Sequence, residues 1–190
     1  MTVKPLSLAI STFKGGAGKS TLNVNLAAEF AQQGHRTLLI DCDEQESSTR
    51  WYNVSMKRGL LPTDGTLLHL RVAPGDRFRE RLDKAPEADI RIYDVGGYVH
   101  QRAIEVYHEC DAILTSGRIP MVETVVRKSN HFSDVGAGYG SLYSKLAGIE
   151  NNPSLTPSAK RRASESVLDA IDLVKRINNE FIALLQAEAA

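Results

Sequence analysis

The run Lys14-Gly15-Gly16-Ala17-Gly18-Lys19-Ser20-Thr21 lies between two segments of different periodicity. Before it, Leu6 to Ser11 is a short, nearly continuous apolar run of the kind that forms a buried parallel strand. After it, Leu22, Leu26 and Phe30 recur at helical spacing until Gly34, where a left-handed C-terminal cap forms at little cost. Strand, glycine-rich turn and helix start, in that order, form the context in which such a run binds phosphate. Glycines without a Cβ let successive N–H groups close around phosphate oxygens, and the following helix presents its positive end to the same anion. Lys14 and Gly15, Gly16, Ala17 and Gly18 then line the anion, and Lys19 supplies a point charge to the β and γ phosphates. The Ser20 hydroxyl is placed for Mg²⁺, and Thr21 donates to an α-phosphate oxygen. The bland alternative is a glycine-rich turn with two surface lysines, which the number of matching residues in the right place disfavours.

Outward from this run, short apolar stretches alternate with amphipathic ones, the pattern of a parallel sheet covered by helices. Thr37 to Ile40 reads as a second strand that delivers Asp41 and Asp43 just past its C-terminal end, where ligand chemistry sits in such sheets. Further strands are expected at Leu67 to Val72, Ile90 to Tyr93 and Ala112 to Thr115, with helices near Arg77 to Lys84 and Gln101 to Glu109. The expected fold is α/β, a doubly wound, mostly parallel sheet with helices on both faces. From His131 to Pro157 the chain is rich in Gly, Ser, Asn and Pro and reads mostly as loop, with one short helix at Leu142 to Ala147. From Ser158, Val167, Ile171, Val174, Ile177, Phe181 and Leu185 share one face and predict a long C-terminal helix. Residues 1–190 are expected to form a single domain whose region 131–190 is atypical.

Composition narrows the function classes. Of 190 residues, 42% are hydrophobic and 24% charged, which suits an ordinary globular chain and argues against wholesale disorder. Lys plus Arg and Asp plus Glu both number 23, so overall charge directs the chain to neither a polyanion nor a membrane, although a local basic patch remains open. Two isolated cysteines, Cys42 and Cys110, make neither a disulfide framework nor a CxxC metal site, and a cytoplasmic location is expected. The histidines His100, His108 and His131 lack metal-ligand spacing and read as ordinary, and Trp51 reads as a packing residue.

A strict phosphate-loop pattern has glycine where this chain has Phe13, and here a lysine follows at position 14. In that respect KGGAGKST resembles the deviant Walker A motif of the ParA/MinD family of ATPases, whose extra early lysine is the signature. The stretch LLIDCDEQ resembles the family's DxDPQ motif, with Glu44 in the place of the proline, and Asp94 at the end of DIRIYD resembles the Walker B aspartate. The resemblance covers roughly residues 6–120. It implies ATP and Mg²⁺ as cofactors, and a homodimer in which two subunits sandwich two nucleotides. Lys14 would then reach the partner's nucleotide, in the manner of an arginine finger. It further implies that Asp43 orients the attacking water, that Asp41 supports the Mg²⁺ side, and that Asp94 holds Mg²⁺ through water. Two close carboxylates beside a triphosphate supply a physical reason for the metal. The competing reading makes one aspartate a helix cap and the other a surface charge.

In partition members of the family, surface lysines and arginines bind DNA without sequence preference. By that resemblance, Arg127 and Lys128 together with Lys160, Arg161 and Arg162 are the expected DNA-binding residues, and solvated helix faces are the alternative. A ParB-like or other protein activator, non-specific DNA and a nucleoid location follow from the same resemblance. ATP is favoured over GTP because the chain has no NKxD. A ParA-like protein of a conjugative DNA-transfer system, a MinD-like spatial regulator and an inactive homologue remain open. Membrane attachment through FIALLQAEAA is disfavoured by its lack of basic residues, and a metal-cluster carrier by the isolated cysteines.

Overall fold

A computed structural model describes residues 4–11, 18–96, 101–115, 130–136, 138 and 140–188. Their elements run β1 (Leu6–Ser11), α1 (Lys19–Gln32), β2 (Thr37–Asp41), α2 (Ser47–Lys57), β3 (Leu67–Arg71), α3 (Phe78–Asp83), β4 (Ile90–Asp94), α4 (Gln101–Glu109), β5 (Ala112–Thr115), α5 (Asn130–Gly136), α6 (Leu142–Glu150) and α7 (Pro157–Glu188). The strands form one parallel sheet in the order β3-β2-β4-β1-β5. Asp94 of β4 is in register with Ile10 of β1 on one side and Asp41 of β2 on the other. The chain therefore leaves the sheet at one level after β1, β2 and β4, and the loops that carry the acidic residues meet there.

Strand alternation builds two cores. Leu8, Ile10, Leu39, Ile90 and Ile92 face a layer made by α1, α2, α5, α6 and α7. Ala9, Leu38, Ile40 and Tyr93 point the other way, onto Phe78 and Leu82 of α3 and Val106 of α4. Helices on both faces make the fold the doubly wound α/β type expected from the strand and helix spacing. Helix α1 ends as its sequence predicts: Gly34 takes φ 90°, its N–H bonds to Ala31, and the His35 N–H bonds to Phe30. This is a Schellman cap, and it needs glycine because a Cβ is strained at that φ.

Three helices depart from the sequence expectation. The segment from His131, read as mostly loop, carries α5, which buries Phe132 and Val135, and an α6 that extends to Glu150. The glycines there are a tight corner rather than a slack loop. Gly138 and Gly140 take φ 85° and 77°, and Ser141 then caps α6 in a reciprocal capping box with Ser144. Helix α2 was not expected at all. It buries Ser48, Trp51 and Ser55, and the Trp51 Nε1–H donates to the Gly140 carbonyl at 2.9 Å. Arg58 donates to the Gly138 carbonyl and Ser55 accepts the Gly140 N–H, so α2 and the 138–141 corner are fastened together. Helix α7 starts with Pro157 behind Thr156, whose hydroxyl accepts the Ala159 N–H, and packs Val167, Ile171, Val174 and Ile177 inward.

Candidate functional site

Helix α1 begins without a side-chain cap behind Gly18, which sits at φ 83°. The Leu22 N–H is taken by the Gly18 carbonyl, so the amides of Lys19, Ser20 and Thr21 lie ahead of the helix's own hydrogen-bond ladder. Among the described residues nothing lies within 4 Å of a Cβ built on Gly18, and it is the backbone angle that favours glycine there. Lys19 is 8% exposed, an unusual burial for an ammonium, and it is placed at the positive end of α1. Lys14, Gly15, Gly16 and Ala17 lie outside the described residues.

Across from that helix start, Asp94 is fully buried at the end of β4. Its Oδ1 accepts the Asn23 amide at 3.0 Å, while its Oδ2 is buried without a hydrogen-bond partner among the described residues. Burial first, and then the neighbouring Asp41 charge, push the Asp94 carboxyl up to about 6; the polar side chains of Ser20, Ser48 and Asn23 act in the opposite sense. A buried carboxylate oxygen with free lone pairs, next to the Ser20 hydroxyl and a second carboxylate, is a donor set that suits a hard divalent cation. Among the described residues no group of three or more His, Cys, Asp or Glu side chains forms a metal cage. Mg²⁺ here would therefore draw most of its ligands from phosphate and water, as it does in nucleotide sites.

Asp41 is also fully buried, but its oxygens are engaged. Oδ1 accepts the Asp43 N–H at 3.0 Å, and Oδ2 accepts both the N–H and the hydroxyl of Thr49, at 2.8 and 2.7 Å. It thus caps α2 from the preceding strand, while Glu46, the residue at the N-cap position, sits at φ 51° with no side-chain cap bond. Asp43, half-buried, accepts the Gln45 N–H at 3.0 Å and heads the loop between β2 and α2. Arg71 braces that loop, donating to the Asp41 and Val72 carbonyls and pairing with Glu46. Asn23, Ser48, Thr49, His69 and Arg71 belong to the site and carry no motif that singles them out. The only prior signal is helical spacing, which places Asn23 one turn beyond Lys19.

Lys160 donates its ammonium to the Glu150 carbonyl at 2.7 Å, covering the end of α6, and Arg161 pairs with Glu165 at 3.4 Å. Arg162 is exposed, and Arg127 and Lys128 lie outside the described residues. Among the described residues no helix is long and apolar enough to cross a membrane.

A parallel sheet with an uncapped helix start after β1 and a buried aspartate at the end of the adjacent β4 defines the P-loop nucleotide-binding class. Residues 6–96 match the profile of an AAA domain family. The chain is 40% identical over 79 residues to the chromosome-partitioning ATPase Soj of Thermus thermophilus, a match covering 41% of this chain and 32% of Soj. It is 29% identical over 118 residues to the maintenance of carboxysome distribution protein A of Halothiobacillus neapolitanus, covering 58% of this chain and 50% of that protein. A plasmid partition protein of Borrelia burgdorferi, solved with AMPPNP bound, superposes with a TM-score of 0.55 at 16% identity, over 95% of this chain and 99% of that one. The chain is thus similar to ParA-like partition ATPases over part of its length and shares their fold, and its matches span half or less of these two curated relatives.

Proposed function

We propose that the chain is a Mg²⁺-ATP-dependent ATPase that dimerises on ATP, binds DNA without sequence preference in that state, and positions a cargo. The observation that carries this reading is the unpartnered, buried Asp94 Oδ2 facing the uncapped start of α1 beside Ser20. In it, Lys19 and the amides that follow hold the β and γ phosphates, and Gly15, Gly16, Ala17 and Gly18 complete the loop. Ser20 and Asp94 would hold Mg²⁺, with Asp41 behind them, and the bound ion would supply positive charge beside the phosphates. Asp43 orients the attacking water, and Lys14 acts across the dimer on the partner's nucleotide. Hydrolysis reopens the dimer, slowly unless a protein activator assists, because phosphoryl transfer here depends on positioning and charge. The similarity to partition ATPases supports DNA as the surface on which the dimer works. Lys160, Arg161 and Arg162, with Arg127 and Lys128, are the residues proposed for it.

The test is binding to a non-specific duplex at fixed salt, with Mg²⁺-ATP and with Mg²⁺-ADP, using Asp43→Ala so that hydrolysis does not erase the complex. ATP-only binding that weakens with salt supports the proposal. No binding in either state, with ATP uptake confirmed and abolished by Lys19→Ala, moves the switch to a protein partner. Lys14→Ala should keep nucleotide binding and lose ATP-driven dimerisation by light scattering. Wild-type turnover in that variant would refute the trans-acting lysine.

A further inference from the structure

Three elements, β2, α2 and β3, converge behind the Asp43 loop. The Thr49 hydroxyl of α2 donates to Asp41 Oδ2 at 2.7 Å, and the same oxygen atom of Thr49 lies 3.1 Å from Nε2 of His69 on β3. A hydroxyl carries one proton, so with that proton committed to Asp41 the Thr49 oxygen can only accept from His69. The imidazole therefore carries its proton on Nε2. The ring is stacked on Tyr52, 4.9 Å between centroids and 21° from parallel, which fixes its orientation. Asp41 in turn receives the Asp43 N–H on its other oxygen at 3.0 Å. The sequence of bonds is thus His69 to Thr49, Thr49 to Asp41, and Asp41 to the backbone of Asp43.

We infer that Thr49 and His69 are positioning residues for ATP hydrolysis, holding the buried Asp41 carboxylate so that it in turn holds the Asp43 loop at the nucleotide. The inference rests on the ATPase reading above. Neither residue contacts the nucleotide; both act through Asp41. The burial of Asp41 is what gives them leverage. A fully buried carboxylate needs every donor it has, and one that loses a donor is stabilised by movement toward water or toward new partners. Such movement carries the Asp43 amide with it, because that amide is bonded to the same carboxylate.

The test uses four substitutions. Thr49→Val keeps the branched shape and the backbone bond to Asp41 but removes the hydroxyl, and Thr49→Ser restores it. His69→Phe keeps a ring against Tyr52 without a donor, and His69→Gln returns an N–H near the Nε2 position. Two readouts are taken: amide exchange at Asp43 by NMR in the nucleotide-free protein, and steady-state turnover beside nucleotide affinity. Thr49→Val should speed Asp43 exchange about tenfold and slow turnover about tenfold to a hundredfold, with nucleotide affinity changed less than about threefold. Thr49→Ser should restore both readouts. His69→Phe should show a smaller loss of the same kind, recovered by His69→Gln. Unchanged exchange and turnover in Thr49→Val, or failure of Thr49→Ser to restore them, would overturn the inference. If the unsubstituted protein shows no turnover that Lys19→Ala abolishes, the ATPase reading falls, and the exchange result still decides for or against the hold of Thr49 on the Asp43 loop.

Discussion

Replacing Asp94 with asparagine should make the nucleotide-free protein more stable at neutral pH, not less. Burial and the Asp41 charge raise the Asp94 carboxyl from an ordinary 3.8 to about 6. The folded chain therefore holds that proton more tightly than the unfolded chain does. The associated stability is complete only below the unfolded value of 3.8 and is lost as pH rises through about 6. The whole displacement corresponds to about 3 kcal/mol. Between about pH 5 and about pH 8 the part of it that is lost is on the order of 1 kcal/mol. Asparagine has the same shape, keeps an oxygen for the Asn23 amide and does not ionise. Urea denaturation of both proteins in metal-free buffer at those two pH values should show the variant gaining on the order of 1 kcal/mol on the wild type at the higher pH. Comparing the two chains cancels every other group that titrates in both. Mg²⁺ with a non-hydrolysable ATP analogue should reverse the gap, because a cation at Oδ2 favours the ionised form. Stability profiles that stay parallel within about 0.3 kcal/mol would refute both the buried charge and the metal role built on it.

Two further outcomes test the packing that holds the site. In Gly140→Ala the new Cβ would meet the Leu60 Cβ at 2.7 Å and the Ser144 Cβ at 2.9 Å, at a φ of 77°. That should cost about 2–4 kcal/mol in urea denaturation, whereas Gly75→Ala, in open space, should change stability by less than about 1 kcal/mol. Tyr143→Phe removes the hydroxyl that α6 donates to Glu29 of α1, a carboxylate only 2% exposed that otherwise accepts from Gln33. A loss of about 2 kcal/mol is expected, and an unchanged urea midpoint would show that the buried carboxylate does not need this donor.

The strands were legible because parallel strands covered on both faces read as unbroken apolar runs, as Leu38-Leu39-Ile40 does, and Asp41 and Asp94 stand out by ending such runs. The start of α1 was legible for a related reason: phosphate binding by backbone amides needs its glycines, lysine and hydroxyls side by side. Helix α2 offered neither signal. Its buried face is built on Ser48, Trp51 and Ser55, mostly polar and therefore without an apolar period to detect. Its start carries no usual capping residue, because the cap is Asp41, supplied from the preceding strand. The 131–157 segment misled in the opposite direction, since its glycines suggest slack chain. Gly138 and Gly140 instead press against Val54 and Leu60, a close approach that exists only once α2 is in place. The unread helix and the misread corner share one cause, because each is defined by contact with the other. The same holds at the site. Lys19 and Ser20 are recognisable from their own neighbours, whereas Thr49 and His69 gain a role only when α2 and β3 bring them to Asp41. In this chain the groups proposed to touch phosphate and metal carry their signal in their own flanking residues, and the groups that hold them in place do not.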